Sequence, residues 1–177
     1  MRVIDSHLHL WDPEVLTYEW LEGPLAWRFA EEEIYEEQLD GVSEEAAIFV
    51  QADPIESQSL DEVRWVDSIA LAAGVVAIVA GARLDRGAAT DAQLEALSDF
   101  DRVVGVRHLL QGEPDGFALT SAFQRGAREV ARRGWTFDAC VRAHQLADVA
   151  ALAASVPDLP IVLDHAGKPA VGSASGP

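Results

Sequence analysis

The chain has 177 residues, 49% of them hydrophobic and 24% charged, which is enough for one domain with a proper core and far from the composition of a disordered segment. Its net charge of −17 repels phosphate backbones, so nucleic acid is excluded as an expected partner, and the single cysteine, Cys140, excludes both an internal disulfide and a cysteine-rich zinc site. No apolar run approaches a membrane span and the start has no signal-peptide pattern, so the chain reads as cytoplasmic, without a membrane partner.

Val3 to Leu10 is a short apolar run carrying His7 and His9 two positions apart. In a β-strand alternate side chains leave on the same side, so both imidazoles point one way while Ile4, Ser6 and Leu8 point the other. Trp11 to Trp27, broken by Pro13, Gly23 and Pro24, shows neither strand nor helix periodicity and reads as a long loop. Glu31 to Leu39 is helix-like and acidic. Ala46 to Gln51 is a buried-type strand stopped at Asp53-Pro54. Ser59-x-x-Glu62 has capping-box spacing and opens a helix over 59–73, with Leu60, Val63, Val66, Ile69 and Ala70 at helical intervals. Val75 to Ala80 is the third strand, closed by Gly81, and Thr90-x-x-Gln93 opens a helix through Leu94 and Leu97. Val103 to His108 is the fourth strand, Ser121-x-x-Gln124 opens the next helix, and Trp135 to Val141 holds the fifth strand. Leu146 to Val156 is an alanine-rich helix, Pro160 to His165 is the sixth strand, and Gly167-Lys168-Pro169 leads into a Gly/Ser/Ala/Pro tail.

Six apolar strands separated by helices, beginning near residues 3, 46, 75, 103, 136 and 161, predict a parallel α/β sheet with helices outside. No Gly-x-Gly-x-x-Gly follows the first strand and no Gly-x4-Gly-Lys-Ser/Thr occurs, so neither nucleotide-binding sheet has its mark. The late Gly-Ser-Ala-Ser-Gly has alanine where a nucleophile elbow needs serine. Polar residues gather instead at the C-terminal strand ends: His7 and His9, Gln51, Arg83, Arg107 with His108, and His165. In a (β/α)8 barrel that end is the active face. His7, His9 and His165 can hold one divalent ion, with His108 as a further ligand or an acid-base group. Plain structural alternatives stand beside these: an exposed histidine pair, a satisfied core histidine at 108, and a strand-end charge rather than a substrate-anion clamp at Arg107. Asp164 reads as a hydrogen-bonded structural carboxylate. Trp11 and Trp135 read as packing residues, and Trp11 stays a substrate-contact candidate.

His7-Leu8-His9-Leu10-Trp11-Asp12, Val50-Gln51-Ala52, Val104-Gly105-Val106-Arg107-His108 with Gln111-x-Glu113-Pro114-Asp115, and Leu163-Asp164-His165-Ala166-Gly167-Lys168-Pro169 together resemble the amidohydrolase-related family. Within it they are similar to the branch of L-fuconolactonase-like and other sugar- or dicarboxylate-lactone hydrolases. The match is collinear along the whole chain. The resemblance implies a (β/α)8 TIM barrel of the metal-dependent hydrolase type, of which a single domain over 1–177 covers about the first six β/α units. It implies a hydrolase in which water attacks the carbonyl of a lactone, or of a similar ester or amide, at the C-terminal mouth. His7, His9 and His165 would line the metal or reaction centre, holding one divalent ion with zinc as first candidate, or none. Arg107, His108 and Lys168 would contact substrate, with Arg83, Gln51 and Trp11 as further candidates.

Family members continue through two more strand-helix units to an aspartate that orients or deprotonates the water, so the chain is expected to be truncated. Binuclear relatives bridge their metals with a carboxylated lysine after the fourth strand. The sole lysine here, Lys168, follows the sixth, which excludes a lysine-bridged pair. The expected partner is a small molecule of carbohydrate metabolism, an anionic or sugar lactone, and a homo-oligomer is left open. Two rival readings keep the fold: decarboxylation of an aromatic or unsaturated acid, and an inactive truncated barrel acting only by association.

Overall fold

The computed structural model describes residues 2–36 and 44–170. Six strands, β1 (Arg2–Leu8), β2 (Glu44–Val50), β3 (Val75–Gly81), β4 (Val103–Leu109), β5 (Thr136–Cys140) and β6 (Ile161–Leu163), occur in that spatial order in the sheet. Helices α1 (Glu31–Glu36), α2 (Ser59–Ile69), α3 (Ala88–Leu97), α4 (Ser121–Arg132) and α5 (Leu146–Ser155) fall one between each pair of strands. This is the connection parallel strands require, since a tight hairpin cannot return the chain to the same end of the sheet. The rest of the first acidic helix, at 37–39, and the tail from Val171 lie outside the described residues. Among the described residues no helix is long and apolar enough to cross a membrane. Contacts divide the chain into two compact units, Met1–Gly81 with Ala96–Val104, and Ala82–Glu95 with Gly105–Pro177.

In the first unit β1 pairs with β2 and β2 with β3, both parallel. The continuous apolar runs bury Phe49, Val50, Ile78 and Val79, and α2 adds Val63 and Val66 from one face. The β1 register slips between Asp5 and Leu8, where the Asp5 carboxylate accepts the His7 amide at 2.9 Å, so an irregularity falls on the stretch that aims His7. The long loop after β1 carries its own structure. Trp11 and Phe29 pair as an antiparallel bridge, and Leu16, Tyr18 and Ala52 make a small core with Trp11, Leu21 and Trp65 packed against it.

In the second unit β4, β5 and β6 pair in parallel, with Arg107 opposite Asp138 and His108 opposite Ala139. Phe123, Ala127 and Val130 line the buried face of α4, and the Phe123 ring lies 5.8 Å from Phe117 and 5.7 Å from Phe137. Gly126 permits that packing, because a Cβ there would stand 2.2 Å from the Leu84 carbonyl oxygen.

Local starts differ from the spacing signals. Ser59 is the first residue of α2, and the buried Glu62 carboxylate accepts the Ala52 amide rather than closing a capping box. Thr90 and Gln93 lie inside α3 and bind the preceding loop: the Thr90 hydroxyl donates to the Arg83 carbonyl and Gln93 accepts the Arg83 amide. Thr120, one residue earlier than expected, caps α4. The sixth strand ends at Leu163, short of the expected His165. There the chain bends into a left-handed run, with φ of 49, 51, 73 and 50° at His165, Ala166, Gly167 and Lys168.

Candidate functional site

In the first unit the His7 and His9 rings meet edge to face, 4.8 Å between centroids and 89° between planes. His9 Nδ1 lies 2.7 Å from the Val50 carbonyl at the end of β2. A carbonyl only accepts, so Nδ1 carries the proton and Nε2 keeps its lone pair, the form in which imidazole ligates a metal. Two imidazoles, one with its tautomer set by a backbone carbonyl, therefore fit the donor chemistry of zinc. Gln51 is buried, and its side-chain oxygen accepts the Asp53 amide at 2.7 Å, holding that residue at a φ of 62°. The Trp11 indole donates to the Trp27 carbonyl at 2.7 Å and packs against Trp20 and Phe29, in keeping with its reading as a packing residue.

The second unit gathers four groups around the end of β4. His108 Nδ1 accepts the Leu84 amide at 3.3 Å, and Nε2 lies 3.4 Å from Glu113. Arg83 is shared between Asp85, 3.1 Å away, and Glu113, 2.9 Å away. Burial, and then the neighbouring Arg83 charge, push the His108 pKa down to about 4, so the ring is neutral near pH 7 with its proton on Nε2 toward Glu113. The Arg83 pairing holds Asp85 below the usual carboxylate range against the opposing effect of burial.

Arg107 points to the other side of the same strand, as alternation requires. Its guanidinium meets Asp164 at 3.3 Å, with side-chain exposures of 5% and 0%, so this is a buried ion pair. Asp138, its register neighbour on β5, is also buried. Burial first, and then the Asp164 charge, raise its pKa to about 6, against the pull of Arg107. At the end of β5 the Lys168 ammonium bonds the Gln111 side-chain oxygen and lies 3.3 Å from Cys140 Sγ. His165 is exposed on the left-handed turn.

Within the first unit, then, the structure brings His7 to His9. Within the second it links Arg83 to His108 through Glu113, and pairs Arg107 with Asp164. It does not bring Arg107 and His108 to one face, although they are adjacent in sequence. Glu113, Asp85 and Asp138 are functional candidates that the motif reading did not select. Glu113 stood in the quoted Gln111-x-Glu113 motif, and Asp138 was visible as a lone carboxylate inside an apolar strand.

The Amidohydrolase family matches residues 4–177. L-fucono-1,5-lactonase of Burkholderia multivorans is 31% identical over 173 residues, covering 95% of this chain and 56% of that protein. The structure of Amidohydrolase 2 from Bifidobacterium longum subsp. infantis has a TM-score of 0.74 at 26% identity, covering 96% of this chain and 64% of that one. A Burkholderia multivorans amidohydrolase with bound zinc gives 0.73 at 28% identity, covering 94% and 58%. The chain thus spans less than two thirds of the length of these relatives. Its strand and helix order is that of the first six units of the amidohydrolase barrel, as expected. With the family matched from residue 4 to residue 177 and the histidine pair in place at the end of β1, the chain belongs to the amidohydrolase family.

Proposed function

We propose that the chain provides much of the site of a lactone hydrolase that opens a sugar lactone by water attack on its carbonyl. The observation that carries this reading is the His7–His9 pair with the His9 tautomer set by Val50, in a chain 31% identical to an L-fucono-1,5-lactonase. On this reading His7, His9 and His165 would hold one divalent ion, for which zinc fits the donors. Bound there, such an ion supplies Lewis-acid polarisation of the carbonyl and acidification of water. Val50 fixes the His9 ring, so the donor is aimed before substrate arrives. Lys168, an ammonium with three donors, contacts substrate oxygen atoms. His108, neutral and directed at Glu113, positions the loop after β4 and the Arg83 guanidinium.

The charge pairing supports one of the two lactone classes over the other. Arg107 is matched by Asp164, and Arg83 by Asp85 and Glu113, so of these three cations Lys168 is left to meet a substrate carboxylate, where a dicarboxylate lactone presents two. An uncharged sugar lactone suits such a site better than a dicarboxylate lactone. The test is turnover by the full-length protein of sugar lactones against dicarboxylate lactones, followed by acid release in weak buffer with metal content measured in parallel. Sugar lactones are expected to open faster, and His165→Asn is expected to abolish opening with an unchanged circular dichroism spectrum. Carbon dioxide release from an aromatic acid, or no opening by metal-loaded protein, overturns the reading.

A further inference from the structure

Lys168 and Cys140 are the only lysine and the only cysteine of the chain, and the fold places them in contact. Cys140 ends β5 and is 2% exposed, while half-buried Lys168 closes the left-handed run after β6. The backbone sets where the turn carrying Lys168 lies relative to β5. β5 and β6 are paired in register, and Gly167 is packed so closely that a Cβ there would stand 2.6 Å from a Leu146 methyl. Gln111 holds the same ammonium from a second direction. A thiol and an amine held together are both nucleophiles, so only an oxidant can join them.

We propose that Cys140 and Lys168 form a covalent cross-link in which one oxygen atom bridges Sγ and Nζ, with dioxygen as the co-reactant. The ammonium first gives one proton to solvent. The S–H bond and one N–H bond then break, S–O and O–N bonds form, and the second oxygen atom leaves with both hydrogens as water. Sulfur and nitrogen each give up two electrons, and dioxygen accepts all four. A bridging atom spans the 3.3 Å separation with less movement than a direct S–N bond needs. The link removes one positive charge, ties the turn carrying His165 to the end of β5, and withdraws Lys168 from any ligand. Thiol reductants restore both groups.

The test does not depend on the proposed activity. Full-length protein is held in air-saturated buffer without reductant, then denatured, alkylated and digested with trypsin. Cys140 lies in the peptide beginning at Gly134 and Lys168 in that beginning at Ala143, which trypsin leaves uncut at the Lys168-Pro169 bond. The expected product is the two peptides joined, heavier than their sum by about 14 Da, lost on treatment with a thiol reductant and absent from Cys140→Ser and from Lys168→Arg. Circular dichroism of both variants establishes that they are folded. Unjoined peptides, a Cys140 carrying one or two oxygens beside an intact Lys168, or a pair lighter than the sum by about 2 Da from a direct S–N bond, each overturn the proposal.

Discussion

Asp138 and His108 are buried groups whose protonation follows from what surrounds them, and each makes stability depend on pH. For Asp138 the folded pKa, about 6, lies above the ordinary carboxylate value of 3.8. The folded state therefore binds the proton more tightly, and the contribution is complete below 3.8 and lost as pH rises through about 6. Asp138→Asn removes the charge while keeping the shape. Urea unfolding should find this variant more stable than the parent by on the order of 2–3 kcal/mol at pH 8, and little changed at pH 4. An equal difference at both pH values would show that Asp138 does not titrate in this way. His108 has the opposite sense. Its folded pKa near 4 lies below 6.5, so its contribution is present above 6.5 and lost as pH falls through about 4. The Arg107–Asp164 pair calls for a different experiment. Asp164→Asn removes the Arg107 counter-charge at 3.3 Å, but Asp138, no longer repelled by Asp164, should then ionise beside Arg107. Chemical denaturation should therefore show a cost below the about 3–5 kcal/mol of an orphaned buried charge.

At the scale of elements, the contact of α4 with the β3–α3 loop depends on the missing side chain at Gly126. Gly126→Ala would drive a methyl group into the Leu84 carbonyl, which is backbone and cannot swing aside. The helix must shift, at a cost of about 1–3 kcal/mol that exceeds the gain in helix propensity from alanine. Thermal unfolding that is unchanged or improved would contradict the close approach. The existence and order of the elements were legible because each strand is a continuous apolar run and each helix has its own period. Their ends were not. Ser59, Thr90 and Ser121 carry capping-type residues, yet Glu62 and Gln93 are drawn to backbone amides outside their helices, at Ala52 and Arg83. The sixth strand was read two residues too long because Asp164 and His165 continue an apolar run, and nothing in that run announces a left-handed backbone.

For the whole molecule, a net charge of −17 means that like charges repel on folding. Added sodium chloride should therefore raise the midpoint of thermal unfolding as the repulsion is screened, and a midpoint that falls with salt would count against this account. The candidate histidines could be found in the sequence because strand-end position is a local property. The state of the arginines could not, because their partners are distant: Asp164 lies 57 positions from Arg107. Arg107, read either as an anion clamp or as a strand-end charge, and Arg83, a substrate-contact candidate, meet carboxylates that no local pattern announces. The turn from His165 to Lys168 has a wider cost. Left-handed backbone is unfavourable by roughly 1–2 kcal/mol for each residue other than glycine, and three of its four residues are not glycine. Against the about 5–15 kcal/mol that keeps a typical domain folded, this is a sizeable sacrifice of robustness, which the roles proposed for His165 and Lys168 would account for. Relaxing the bend for heat tolerance would let both groups wander, so on the proposed function durability and reactivity are set against each other in this single stretch of chain.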